Sequence, residues 1–391
     1  MSIVRGILAA GAITAVLPSS AWALTKQEAE EKIQNMEQEI MFFKEQFYDV
    51  ETELDKFMRI SGYMDMEYLA SDQKGSASGF RLHHFSLFFR KKIAEKWRFF
   101  SEIEYEDGPR YTSKDETITV SDTDTNAQTF ATLEESEGGI FAEAFNITYE
   151  LTPALALRFG REFAPVGLWN LDHYPPYLAT QQAPQHIRRI FPRTNDGISA
   201  FGSKRFTNTF LNYHFYLGNG EGNSGRGDGN PSKSVGTRLA ITLPVLSQTE
   251  VGFSYNHDQQ NDSRTKNAFG LHTRIKANDL TVQAEYATNT FEAPNGSKLE
   301  HLGYYLQAMY DWGAWGFGYR YDYYDDNTAS GAESPEFGVT NSLILNYHAA
   351  KNTVFKFEYH MEAPEEAKIG GVGDDTAYSH AIASIAVHLG E

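Results

Sequence analysis

From Arg59 to Leu389 the chain alternates apolar and polar side chains with a period of two, in sixteen separate stretches. They run 59–70, 80–92, 96–106, 140–150, 154–162, 197–206, 209–218, 235–243, 249–258, 268–277, 280–289, 301–311, 315–324, 337–348, 352–360 and 377–389. Successive residues of a β-strand point to opposite faces of a sheet, so the pattern predicts strands with one apolar and one polar face. Most span nine to twelve residues, the length a tilted strand needs to cross a bilayer.

Individual stretches show the two faces. In the third, Trp97, Phe99, Ile103 and Tyr105 oppose Arg98, Glu102, Glu104 and Glu106. In the tenth, Phe269, Leu271 and Ile275 oppose His272, Arg274 and Lys276, and in the thirteenth Trp315, Phe317, Tyr319 and Tyr321 oppose Gly316, Gly318, Arg320 and Asp322. A soluble β-sandwich also alternates. The connections separate the two possibilities. Eight long ones, 71–79, 107–139, 163–196, 219–234, 259–267, 290–300, 325–336 and 361–376, interleave with seven short turns such as Thr207-Asn208 and Asn278-Asp279. A barrel with both termini in the periplasm sorts its loops in this way, and a sandwich has no reason to. The expected fold is therefore all-β: a 16-stranded antiparallel transmembrane barrel occupying residues 59–391 of a Gram-negative outer membrane, in contact with lipid and lipopolysaccharide.

Sixteen strands enclose a lumen too wide to fill with side chains. The inward positions here are charged or small, so water is expected to occupy it. The expected pore wall carries Arg98, Arg158, Arg238, Arg274, Lys276, Arg320 and Lys356 against Asp65, Glu67, Glu102, Glu104, Glu285 and Glu358. Opposed rows of charge across a channel filter ions and orient polar solutes, and about half of these groups are expected to pair along the wall.

The third long connection is unlike the others. It holds five prolines (Pro165, Pro175, Pro176, Pro184, Pro192), the aromatics Phe163, Trp169, Tyr174, Tyr177 and Phe191, and Arg188, Arg189 and Arg193. A solvated loop reads like "GNGEGNSGRGDGNPSKS" in 219–234. This one is predicted to fold inward against the wall and narrow the channel, with Arg188, Arg189, Arg193, Trp169 and Tyr174 at the constriction. An extracellular cap or a subunit contact is the alternative.

The stretch Gly160-Arg161-Glu162-Phe163-Ala164-Pro165-Val166-Gly167 resembles the strand-to-loop signature of the phosphate-selective porin O/P family and its coiled-coil-bearing DcaP-like relatives. The resemblance implies a homotrimeric outer-membrane porin whose pore favours anions.

Ahead of the barrel, Arg5, the apolar run Ile7–Leu17 and Ala21-Trp22-Ala23 read as an export signal over residues 1–23. Its removal takes the formal charge from −18 to −19, because Arg5 leaves with it. Within 24–58, Ile33, Met36, Ile40, Phe43, Phe47, Val50, Leu54 and Phe57 recur at alternating steps of three and four. That narrow heptad seam predicts a short coiled-coil helix joining copies of the chain.

Other chemistry finds little support. With no cysteine there is neither a disulfide framework nor a thiolate metal site. Asp122-Thr123-Asp124-Thr125-Asn126 opens like a calcium loop, but Ala127 and Leu133 stand where Gly and Glu are required. The eight carboxylates of Asp107–Glu137 read as a solvated acidic surface with at most weak divalent binding. His84 and Ser86 share a strand face that points to the lumen, the wrong side for a lipase dyad. The remaining histidines are scattered and show no metal spacing, and neither a cofactor nor a nucleic-acid partner is expected. Two functions compete: passive diffusion of small hydrophilic solutes, with anions expected from the third loop's arginines, and an envelope-organising role in which the helix binds peptidoglycan or a partner.

Overall fold

The computed structural model describes residues 57–73, 76, 78–107, 110–118, 128–136, 139–185, 189–220, 228, 230–260, 262–325, 338–364 and 377–390. The export signal and the seam from Ile33 to Leu54 lie outside the described residues, as does Arg188; Phe57 is described and exposed.

The strands are β1 (Arg59–Ser71), β2 (Gly79–Ala94), β3 (Trp97–Glu106), β4 (Arg110–Ile118), β5 (Gln128–Ser136), β6 (Gly139–Thr152), β7 (Leu155–Phe163), β8 (Thr194–Phe206) and β9 (Thr209–Gly218). They continue as β10 (Ser234–Leu243), β11 (Gln248–Gln259), β12 (Thr265–Ala277), β13 (Leu280–Glu292), β14 (Lys298–Trp312), β15 (Trp315–Asp325), β16 (Gly338–Ala350), β17 (Thr353–Pro364) and β18 (Tyr378–Leu389). Sixteen of them form one closed antiparallel barrel, sealed by β1 against β18 from Gly62↔Leu389 to Ser71↔His380. Closure leaves no edge whose amides would lie unpaired in hydrocarbon.

Two features differ from the sequence boundaries. The first is β4 and β5, which pair as a separate two-stranded sheet inside connection 107–139. Their Thr-rich sequences suit strands, but no lipid imposes the period that marks the barrel. The second is that several strands run past their expected ends on the long-loop side: β8 starts at Thr194, β12 at Thr265 and β14 at Lys298. Beyond the bilayer both faces meet water, so pairing continues after the apolar alternation has stopped.

Inside and outside separate as the alternation requires. Phe317 and Tyr319 are exposed on the outer face of β15, whereas Arg320 and Asp322 are buried within. Pairs of outward rings sit at both ends of the wall. Trp97 meets Tyr149 at 4.7 Å and Trp315 meets Tyr347 at 4.6 Å beside short turns, and Tyr304 meets Tyr323 at 5.0 Å beside long loops. These are the interfacial girdles of an outer-membrane barrel.

Two of the barrel's bulges reset the alternation away from the short turns. The β1–β2 register slips between Asp65 and Met66, turning both His83 and His84 inward. The β3–β6 register slips between Glu102 and Ile103, so both Glu143 and Ala144 are buried while Phe141 and Phe145 stay exposed. An extra residue on one strand shifts its side-chain parity from that point on.

Candidate functional site

Residues 164–193 leave β7, cross the lumen and return to β8. Ala164 N donates to Arg193 O at 2.9 Å, so the two ends of the segment lie one hydrogen bond apart. Between them the chain reaches side chains on β1, β3, β11, β13, β15, β16 and β17, strands distributed around the barrel. Only a path through the interior touches them all.

Irregular backbone inside a barrel must find its hydrogen bonds from the wall. Five of the positions here are proline, which brings no N–H to satisfy. Four of the other amides meet acceptors on the wall: Gly167 N donates to Ser254 Oγ (3.1 Å), Trp169 N to Glu285 Oε1 (2.9 Å), Gln181 N to Glu358 Oε1 (2.6 Å) and Gln185 N to Asp322 Oδ2 (3.2 Å). Four carbonyls meet donors from the wall. Arg238 Nε reaches Gly167 O at 3.0 Å, Lys356 Nζ reaches Pro175 O at 2.5 Å, Asn346 reaches Ala179 O at 3.0 Å and Arg320 Nη1 reaches Gln182 O at 2.9 Å. Arg320, Lys356 and Glu358 are therefore buried beneath the segment and brace it. A small apolar cluster of Ala164, Val166, Ile190 and Phe191 against Ala268, Ala287 and Tyr324 completes the seat.

The glycines that bound the motif have a backbone reason. Gly160 has φ 120° and Gly167 φ 56°, and a Cβ at Gly167 would fall 1.8 Å from Glu285 Oε2. A left-handed residue with a side chain costs about 1–2 kcal/mol before any clash. Gly167→Ala should displace Glu285 from Trp169 N and loosen this arm. Limited proteolysis of the folded protein should then cut within 164–193 at protease levels the parent resists, and equal resistance would refute the role given to Gly167.

The residues singled out in the sequence divide into several groups. Trp169 is buried, with the Arg320 guanidinium 5.7 Å from its ring. Tyr174 donates to Glu102 Oε2 at 3.2 Å and packs edge-on against Tyr63 and Phe88. Burial, with the Glu102 carboxylate beside it, pushes the Tyr174 hydroxyl above its usual range and keeps it a donor. Arg189 lies over the Tyr324 ring at 4.8 Å. Arg193 Nη2 sits 3.2 Å from Glu143 and 3.7 Å from Glu104.

On the wall, Arg98 pairs with Glu150 (2.6 Å), Arg158 with Glu162 (2.6 Å) and Arg238 with Glu250 (2.7 Å). Arg274 bonds Asp172 of the crossing segment, and Lys276 is exposed at the short-turn end of β12. Glu104 is buried and accepts from the Tyr63 hydroxyl. His84 and Ser86 do not pair: Ser86 Oγ donates to Glu102 at 2.8 Å and His84 Nδ1 lies 2.8 Å from Asp65.

The segment separates two cavities. The one toward the short turns, about 600 Å³, is lined by Arg59, Arg90, Lys91, Lys92, Arg98 and Arg158, with Glu162 the carboxylate among its lining residues. Arg90 bonds Ser61 Oγ at 2.7 Å and lies over Phe88 and Phe100. The other, about 350 Å³ on the long-loop side, is lined by Arg81, His83, His84, Glu104, Arg189 and Arg193 among others. The sequence reading passed over Arg59, Lys91 and Lys92. Their signal was the Arg90-Lys91-Lys92 run closing the second alternating stretch, opposite Arg59 in the β1–β2 register.

Comparison with known proteins follows this geometry. Residues 58–362 match the profile of a family described as Gram-negative porin. Over 170 residues, 43% of the chain, it is 26% identical to an uncharacterized protein of Aquifex aeolicus (strain VF5), and it spans 33% of that relative's length. Among solved structures it superposes on the anion-selective porin from Comamonas acidovorans with TM-score 0.60 and 12% identity, covering 85% of this chain and 99% of that one. A loop L8 deletion mutant of OmpT, an outer membrane protein of Vibrio cholerae, gives 0.57 at 11% identity over 85% and 99%. Salmonella typhi OmpF in complex with daunomycin gives 0.56 at 12% over 85% and 97%. At these identities the structural likeness is one of fold.

Proposed function

Because the chain belongs to the Gram-negative porin family and lies in the outer membrane, we propose that it is a passive diffusion channel for small hydrophilic anions, narrowed by residues 164–193. The observation that carries this reading is the basic cavity next to the crossing segment. Six cationic side chains and Glu162 line it, in a protein whose overall charge is −18. Charges farther away than about 8 Å are screened at physiological salt, so the groups lining the narrow path set selectivity. Carboxylate- or phosphate-type solutes fit the guanidinium-rich lining, since the planar fork of Arg matches both groups. The likeness of Gly160–Gly167 to the O/P and DcaP-like porins supports the same sign of selectivity.

The reading is tested by reversal potential in planar bilayers across a KCl gradient. Anion preference at neutral pH is expected, and cation preference would overturn it. Absence of channels from folded protein would favour the envelope-organising role instead.

A homotrimer joined in part by the heptad helix of 24–58 belongs to the same proposal. Ile40→Asp with Phe47→Asp places charge in the seam and should loosen the oligomer on native gels. An unchanged oligomer would remove the helix from assembly.

A further inference from the structure

We propose that Asp65, His83 and His84 hold a divalent transition-metal ion of the zinc class on the lumen wall, at the long-loop side of the crossing segment. The site goes beyond the channel reading, and its binding test does not depend on that reading.

The β1–β2 bulge creates it. Phe80, Leu82 and Phe85 are exposed on the outer face, so a regular strand would turn only one of two consecutive histidines inward. With His84 opposite Asp65 and Leu82 opposite Met66, His83 is the extra residue, and both imidazoles face the same carboxylate. Their rings lie 3.6 Å apart. Sequence spacing could not reveal this, because adjacent residues of a strand ordinarily diverge.

The donor geometry is compatible with a metal. His84 Nδ1 is 2.8 Å from Asp65 Oδ1, and His83 Nδ1 is 3.2 Å from Asp65 Oδ2 and 3.5 Å from Glu67 Oε2. One ligand atom from each of Asp65, His83 and His84 can be chosen so that all lie within 4.8 Å of one another. Metal–ligand bonds of about 2.0–2.2 Å in a tetrahedron place ligand atoms roughly 3.4 Å apart. His83 Nδ1 is buried and lies beside the Asp65 and Glu67 carboxylates without a well-formed hydrogen bond to either. Such an atom requires an explanation, and a bound cation supplies one.

The surroundings favour a cation and orient its ligands. Asp65, Glu67, Glu104, Glu106 and Asp107 cluster here against the guanidiniums of Arg81 and Arg193, and Arg81 bonds both Glu67 and Asp107. His84 Nε2, the ring nitrogen away from Asp65, lies 3.9 Å from the Glu106 carboxylate. Two nitrogen donors select zinc-like ions over magnesium or calcium, which prefer oxygen.

The site touches the crossing segment through Gln181, whose Nε2 donates to Asp65 Oδ2 at 2.5 Å. A metal would compete for that oxygen and add positive charge beside the cavity of about 350 Å³.

The experiment is calorimetric titration of the folded full-length protein in detergent with Zn²⁺ alone, repeated with Mg²⁺ and Ca²⁺. One saturable Zn²⁺ site per chain is expected, weakened at least about tenfold in His83→Ala and in His84→Ala, with His348→Ala unaffected. Binding that survives both substitutions, equal binding of Mg²⁺ or Ca²⁺, or no binding at all would each overturn the proposal. Should the variants fail to fold, X-ray absorption on the unmodified zinc-loaded protein decides: two imidazoles in the coordination shell are required, and an all-oxygen shell refutes the site.

Discussion

Replacing residues 165–192 with a four-residue Gly-Ser turn should raise single-channel conductance at least about twofold, because an unobstructed 16-stranded barrel encloses a wide aqueous lumen. The barrel should survive the deletion. Ala164 and Arg193 are already joined by a backbone hydrogen bond, so a short turn spans them without moving β7 or β8. Removing the segment uncovers Arg238, Arg320, Lys356, Glu285 and Glu358, but it uncovers them to water. Buried charges that lose a partner destabilise strongly only when solvent cannot replace it. Removing one brace while the segment stays is a different case. Arg320→Met would leave the Gln182 carbonyl without its donor, a loss of about 1–3 kcal/mol, and would remove the cation 3.6 Å from the buried Asp322 carboxylate. An unchanged conductance after the deletion, in protein whose heat-modified gel mobility shows a folded barrel, would mean that the segment does not limit the current.

Neutralising Arg59, Arg90 and Arg98 together as glutamines should reverse selectivity from anions to cations. These three line the cavity of about 600 Å³, and their loss leaves a chain of formal charge −18 still more acidic. Arg158 is best left intact, since Glu162 is buried and its ion pair with Arg158 would be broken. Arg264→Gln, in an outer loop beside Asp262, is the control. It should leave the reversal potential unchanged because the Debye length is only about 8 Å at 0.15 M salt. Substituting Arg189 and Arg193 with alanine should move selectivity in the same direction, because Glu104 and Glu143 then lose the guanidinium beside them. A triple variant that keeps the parent's anion preference would show that the basic cavity is not on the conducting path.

Sixteen barrel strands, their order, the side that carries the long loops and the outward faces of β3, β12 and β15 were legible in the sequence. Each depends on a two-residue period that lipid on one face and water on the other impose locally. The prolines and aromatics of 164–193 set that connection apart from the solvated loops and led to the expectation that it folds inward. What those wall charges do was not. Arg320 and Lys356 read as pore lining, yet they brace backbone carbonyls of a segment more than 130 residues away in the chain. Arg59, Arg90, Arg98 and Arg158 come from four strands, β1, β2, β3 and β7, whose pairing along one arc of the wall gathers them around one cavity. The pairing of His83 with His84 depends on a single extra residue at a bulge, which shows in the sequence only as a three-residue step from Leu82 to Phe85. Local alternation determined the barrel; the contents of its lumen depend on contacts between residues distant in sequence, which only the closed structure brings together.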